Sequence, residues 1–322
     1  MGSFARVARL VVGSILVLLF VIACSSGGGG AAGGTSGATS AAASPSAGGS
    51  GGTSGSGSPG ASGGASGGSG GPGASITVPA AITSAGKLVW CSDITYPPEE
   101  FYGPDGTTPM GSDIDIANEI GKRFGVPSEI DNTSFDGIIP ALNAKKCDLI
   151  ISGMNVTPDR EKAVDFVPYL KVGQGLLVPA GNPKNIKTLD DLSGKGVAVE
   201  LGTTNKEALD AENVKLQAAG KPPVDILTFA KDTDAFQQLK LGRVDAYSGD
   251  SPVCAYYQDQ NKGKFEIGGT PINPIPIGIA VRKDDPELKA AVAAAVDAMY
   301  ADGTMKSITD KWDLTNAVEF LK

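Results

Sequence analysis

Histidine is absent from all 322 residues, and with it go the imidazole bases of Ser-His and Cys-His nucleophiles and the usual zinc and iron sites. Cysteine is scarce, four in all and none in a Cys-x-x-Cys pair, so no thiolate metal or redox motif is present. From Ser25 to about Ser75 the chain lacks both charge and large apolar side chains, being almost wholly Gly, Ser, Ala, Thr and Pro. Such a stretch cannot bury enough surface to offset its ordering entropy and reads as a flexible tether. At roughly 50 residues and 5–6 Å × √n its reach is on the order of 40 Å. No apolar run after Cys24 is long enough to span a bilayer. Basic charge is in deficit, 27 Lys and Arg against 35 Asp and Glu, which argues against nucleic acid as a partner.

The first residues carry an address. Arg6 and Arg9 precede an apolar run from Leu10 to Ile22 that stops at Ala23-Cys24. A small residue directly before a cysteine is the pattern of a bacterial lipobox, so residues 1–23 read as a lipoprotein signal peptide and Cys24 as the acylated mature N-terminus. At roughly 0.8 kcal/mol per buried methylene, two or three acyl chains hold a protein firmly at a membrane. The expected location is extracytoplasmic, anchored by lipid to the outer face of the bacterial cell membrane. Processing removes Arg6 and Arg9, leaving 25 basic against 35 acidic residues, a net charge of about −10. Cys91, Cys147 and Cys254 remain, enough for one disulfide and one buried thiol. Cys91 with Cys147 is preferred because both fall in the first half, and pairing with Cys254 stays open.

What folds is about residues 76–322, long enough for a full core and better suited to two lobes than one. Lys87 to Trp90 reads as a buried strand. Ser112 to Phe124 puts Ile114, Ile116, Ala117, Ile120 and Phe124 largely on one helical stripe, closed by Gly125. Asp136 is placed to cap the next helix, and Asp148 to Ser152 follows as a strand. The second half repeats the plan, with strands Val197–Leu201 and Val244–Ser248 and helices Asn205–Ala219 and Thr233–Leu241. Leu142-x-x-Lys145-Lys-Cys-Asp148-Leu-Ile-Ile-Ser152-Gly153 resembles Leu239-x-x-Gly242-Arg-Val-Asp245-Ala-Tyr-Ser248-Gly249. Two α/β lobes of one plan follow, with ligands expected at strand carboxyl ends facing each other across a cleft. Val172–Pro179 and Ile277–Val281 are the candidate crossovers. Helices Pro286–Tyr300 and Thr304–Trp312 then return to the first lobe, giving 76–174 with 275–322 as lobe I and 175–274 as lobe II.

An ordered series of motifs runs through that region: Asp93-x-x-Tyr96-Pro-Pro, Gly111-x-Asp113-Ile-Asp115, Phe135-Asp136-Gly-Ile-Ile-Pro-Ala-Leu, Cys147-Asp-Leu-Ile-Ile-Ser-Gly-Met-Asn-Val-Thr157-Pro-Asp-Arg160, Gly202-Thr203-Thr204-Asn205, Asp245-Ala-Tyr-Ser-Gly-Asp250 and Ala301-Asp-Gly-Thr304. Over 85–315 the chain resembles the family 3 extracellular solute-binding proteins, the polar amino-acid receptors of ABC importers. The resemblance implies an α/β, two-lobed periplasmic-binding-protein-like fold of type II with a two-strand hinge. It implies a monomer that binds an amino acid and hands it to an ABC permease and its ATPase, with no cofactor, no metal and no catalytic residue. Relatives of the same fold that act as a cyclohexadienyl dehydratase, or as a ligand sensor for a membrane receptor, supply the alternatives.

A zwitterion drawn from water needs a bidentate cation for its carboxylate and an acceptor for its ammonium. By resemblance Arg160 takes the α-carboxylate through its planar fork, and Asp250 takes the α-ammonium. Thr203, Thr204 and Asn205 open a helix whose free N–H groups favour the carboxylate. Ser152, Gly153 and Asn155 complete the polar shell, and Tyr96 and Phe135 wall the carbon chain. Asp93 corresponds to the family position that faces the ligand side chain, and a carboxylate there favours a donor, basic or glutamine-like. The sequence departs from the family pattern at Pro98-Glu99-Glu100-Phe101, where an aromatic is usual, and at Gly153 and Asn155, where hydroxyls are frequent.

Overall fold

In this computed structural model the structure describes residues 76–322. The leader, Cys24 and the Gly/Ser/Ala-rich tether lie outside the described residues. Among the described residues no helix is long and apolar enough to cross a membrane.

The chain enters through helix α1 (Ala80–Ala85) and strand β1 (Leu88–Ser92), whose Trp90 is fully buried with its indole N–H on Ser128 Oγ at 3.1 Å. A small antiparallel sheet of β2 (Thr95–Tyr96), β3 (Glu100–Tyr102) and β4 (Pro109–Met110) follows. Helix α2 (Ser112–Phe124) buries the apolar stripe read from its spacing and ends on Gly125 at φ 73°. No side chain caps its start. The first N–H groups instead donate to the carbonyls of Pro98 and Glu99, at 3.0 and 2.9 Å from Ser112 and Asp113. That close approach requires Gly111, since a Cβ there would stand 2.0 Å from the Glu99 oxygen. Strand β5 (Ser128–Asn132), helix α3 (Ile138–Asn143) and strand β6 (Leu149–Ile150) complete the unit. Asp136 does not cap α3. It lies in a 3-10 turn, Phe135–Gly137, with its carboxylate on the Ser134 hydroxyl at 2.8 Å.

After the short α4 (Pro158–Glu161) comes the 15-residue strand β7 (Asp165–Pro179). Then follow β8 (Gly196–Glu200), α5 (Thr204–Ala218), β9 (Asp225–Phe229), α6 (Asp232–Lys240), β10 (Ala246–Asp250), α7 (Ser251–Gln260) and β11 (Phe265–Ile267). Strand β12 (Ile272–Val281), helices α8 (Pro286–Ala301) and α9 (Thr304–Lys311) and strand β13 (Val318–Phe320) close the chain. The main sheet runs β5-β1-β6-β12-β7-β10-β8-β9, with β11 and β13 also on β7. The first part of β7 pairs with β12 and its later part with β10 and β11, so one long strand belongs to both lobes and β12 is its antiparallel companion. Pro274 and Pro276 lie inside β12, where the pairing with β7 skips between Ile272 and Ile275, as an irregular crossover permits.

The repeat read from the sequence has a structural meaning. Lys145 and Gly242 both turn the chain with positive φ, at 59° and 66°. The aspartate that follows then ties down the neighbouring strand: Asp148 accepts from the Val89 N–H at 2.9 Å and Asp245 from the Gly196 N–H at 3.2 Å. Cys91 and Cys147 form a disulfide with Cα atoms 5.7 Å apart, joining β1 to the residue pair before β6, and Cys254 is a free buried thiol.

Candidate functional site

The carboxyl ends of β1, β6, β8 and β10 converge on a narrow space between the lobes. Its wall is Asp93, Tyr96, Glu100, Phe135, Ser152, Gly153 and Asn155 from the first lobe and Glu200, Thr203, Asn205 and Asp250 from the second. Nine of these eleven are sequence-predicted positions. Arg160 and Thr204 stand just behind the wall, and Glu100 and Glu200 are on it without having been foreseen as ligand contacts. Glu200 ends β8 two residues before Gly202-Thr203-Thr204, and a place near a strand carboxyl end was the available signal.

Asp250 is the last residue of β10. Its carboxylate accepts from Asn205 Nδ2 at 2.9 Å and from Asn155 Nδ2 at 3.5 Å, and makes no capping bond to α7. Its backbone N–H donates to the Tyr96 hydroxyl at 2.9 Å. Burial pushes its carboxyl up to about 6. Asp93 accepts from the Thr95 hydroxyl at 2.7 Å and the Phe135 N–H at 2.8 Å, while its own N–H donates to Ser152 Oγ at 3.0 Å. Burial raises it too. Ser152 in turn donates to Glu100 at 2.8 Å. Burial, then the nearby Asp113 and Glu99 charges, holds Glu100 well above the usual carboxylate range.

Asn155 links the lobes: its side-chain oxygen accepts from the Thr204 hydroxyl at 2.6 Å and its amide reaches Asp250. Thr203 caps α5 by accepting from the Lys206 N–H at 3.2 Å. Arg160 follows Thr157, the side-chain cap of α4, and donates from Nη1 to the Asn155 carbonyl at 2.8 Å and from Nη2 to the Gly202 carbonyl at 3.0 Å. Its guanidinium lies 5.2 Å from the centre of the Phe135 ring and, among the described residues, forms no ion pair. Gly153 has φ 47°, and a Cβ there would come within 3.1 Å of two Tyr96 ring carbons, so the aromatic wall explains why the hydroxyl usual at this position is missing.

The electrostatic result is one-sided. Four carboxyl groups, Asp93, Glu100, Glu200 and Asp250, face the space, and no Lys or Arg is on the wall. Glu200 Oε1 and Asn205 Oδ1 are buried with no hydrogen-bond partner, whereas Glu100, lifted by burial, hydrogen-bonds to Asp113. Burying polar oxygens without donors costs free energy, so these two oxygens are open to a donor. Among the described residues no cluster of three or more metal-ligating side chains is arranged to hold a metal ion.

The profile of the bacterial extracellular solute-binding proteins, family 3, matches residues 88–315. The L-cystine-binding protein TcyJ of Escherichia coli (strain K12) is 33% identical over 232 residues, 72% of this chain and 84% of that protein. The ABC transporter arginine-binding protein 1 of Escherichia coli (strain K12) is 32% identical over 244 residues, 74% of this chain and 95% of that protein. Among solved structures, the ancestral amino acid-binding protein AncCDT-1, a precursor of cyclohexadienyl dehydratase, superposes with a TM-score of 0.66 at 38% identity, covering 72% of this chain and 97% of its own.

Proposed function

The chain belongs to the bacterial extracellular solute-binding proteins, family 3, and from that premise we propose that it captures one polar amino acid with a basic or amide-bearing side chain for an ABC importer. The observation that carries this reading is the donor-hungry wall of Asp93, Glu100, Glu200 and Asp250, made by both lobes and lacking any basic side chain. Asp250 receives the α-ammonium. Arg160 leaves its two backbone carbonyls for the α-carboxylate, assisted by Thr203, Thr204 and the first N–H groups of α5. Tyr96 and Phe135 flank the carbon chain, Ser152, Gly153 and Asn155 complete the polar shell, and Asp93 faces the ligand side chain.

Lobe I, 76–174 with 275–322, and lobe II, 175–274, close on the ligand by bending at β7 and β12. Lipidated Cys24 and the tether to residue 75 hold this monomer at the outer face of the membrane, where its closed form docks on a permease. The related cystine-binding and arginine-binding proteins support an amino acid as cargo.

Titration calorimetry of the full chain against the twenty amino acids, ornithine and citrulline tests the reading, with at least one expected to bind. Arg160→Ala is expected to remove detectable binding, and an unchanged affinity would take Arg160 out of the site. The likeness to AncCDT-1 keeps a catalytic reading in view, with Glu100 as the acid on the wall. Incubation with prephenate or arogenate is expected to give no turnover, and product formation would replace capture with catalysis.

A further inference from the structure

We propose that Glu200 decides the charge of the ligand: together with Asp93 on the opposite lobe it makes the cleft close on a cationic side chain and resist an uncharged one of the same shape. This deepens the amino-acid reading and rests on it.

Glu200 is the last residue of β8 and is 3% exposed. Its Oε1 has no hydrogen-bond partner, and among the described residues its carboxylate enters no ion pair. The charges that act on it most strongly are negative, those of Asp232 at the start of α6, Asp93 just after β1, and Asp136 in the turn before α3, while the Asp232 backbone N–H supplies a hydrogen bond. Burial, then Asp232 and Asp93, raises its carboxyl well above the usual range.

The two acids on the wall divide the work. Both oxygens of Asp93 are already engaged, by Thr95 and by the Phe135 N–H, so Asp93 supplies mainly charge. Glu200 supplies the free acceptor. Burial favours the neutral forms of Glu200 and Asp93, and an amide, which brings no charge, leaves that preference in place. An ammonium or guanidinium satisfies the acceptor and cancels charge at once. The preference thus comes from two acids on one wall that ionise together at low cost only with a cation beside them, a gain the neutral analogue cannot supply.

Arginine against citrulline is the sharpest comparison, because the two differ little in shape and by one charge. Lysine and ornithine against glutamine serve as a second set. Calorimetry on the full chain at pH 7.5 is expected to show the best cationic amino acid bound about 100-fold more tightly than its neutral analogue. Glu200→Gln, close in shape, should cut that ratio at least tenfold, weakening the cation while leaving the neutral analogue unchanged or tighter. Glu200→Asp should keep part of the preference.

A purely structural Glu200 would weaken both ligands equally, and an unchanged ratio in Glu200→Gln would overturn the proposal. So would a native preference for citrulline or glutamine, which leaves amino-acid capture standing. Failure of every amino acid to bind the native chain removes the capture reading itself, and this inference with it.

Discussion

Each lobe places an aspartate in the first turn of a helix beside the cleft and buries it against tyrosine. In lobe I it is Asp113 of α2, which accepts from the Tyr169 hydroxyl at 2.8 and 2.7 Å and from the Gly153 N–H at 2.8 Å, all within its own lobe. In lobe II it is Asp232 of α6, held by the hydroxyls of Tyr247 and Tyr257. There the backbone N–H crosses the cleft to the Thr95 hydroxyl at 3.2 Å. One plan has been put to two uses: Asp113 braces the floor of the first lobe, while Asp232 ties its lobe to the other. The surroundings differ accordingly. Lobe I is braced by the Cys91–Cys147 disulfide. Lobe II relies on packing, with Phe236 stacked on Tyr257 at 3.7 Å and Cys254 left as a thiol.

The strongest way to break the cross-lobe arrangement is at Asp250. Asp250→Ala strips the acceptor from Asn155 and Asn205 and leaves a bound ammonium unpaired, which costs about 3–5 kcal/mol. Calorimetry should then show affinity lower by about 10²–10⁴-fold. Removing the brace of lobe I comes next. Cys91→Ser opens a loop spanning 56 residues and should lower unfolding free energy by about 2–4 kcal/mol in urea titrations, whereas Cys254→Ala should cost less.

Closure itself can be probed at Gly202, where φ is 81° and a Cβ would stand 3.1 Å from Asp136 Cα on the other lobe. Gly202→Ala should weaken ligand binding about tenfold. Gly220→Ala, with φ 69° and nothing within 4 Å, carries the same backbone strain and should leave affinity unchanged while lowering the melting temperature.

The two tyrosine-held aspartates should also separate by pH. Burial lifts Asp113 from 3.8 to about 6 and Asp232 from 3.8 to about 7. Below the ordinary value both folded and unfolded chains hold the proton, and stability is complete. Above it the unfolded chain loses the proton first, so stability falls as pH rises, by about 1.4 kcal/mol per unit for each group, until the folded value is passed. Ligand-free thermal melts should therefore decline from pH 4 to pH 7. Asp232→Asn should flatten that decline up to about pH 7 and Asp113→Asn only up to about pH 6.

Much of this molecule was legible in the chain. The α2 stripe, the paired helix-turn-aspartate-strand segments and the crossovers near Val172 and Ile277 follow from spacing, because buried faces impose periodicity. Ser152, Gly153 and Asn155 were legible from their place beyond a strand end, while Asp93 and Asp250 were legible through the resemblance to the family. Three things were not. Asp136 looked like a helix cap because capping is a local signal, yet its carboxylate turned to Ser134. Glu200 was not singled out, because it faces Asp93 only across the cleft, more than a hundred residues away in the chain. Arg160 was read as a clamp, but its present hold on the carbonyls of Asn155 and Gly202 exists only once the lobes meet.

The sequence alone determined a chain without histidine, with a lipobox-like start, an uncharged tether and a folded region of two α/β repeats, because composition and periodicity are properties of neighbours along the chain. The tertiary structure decided that four carboxyl groups from opposite lobes share one wall without a basic side chain. Charge in a closed cleft depends on distances through space, and those are fixed only when β7 and β12 bring the lobes together.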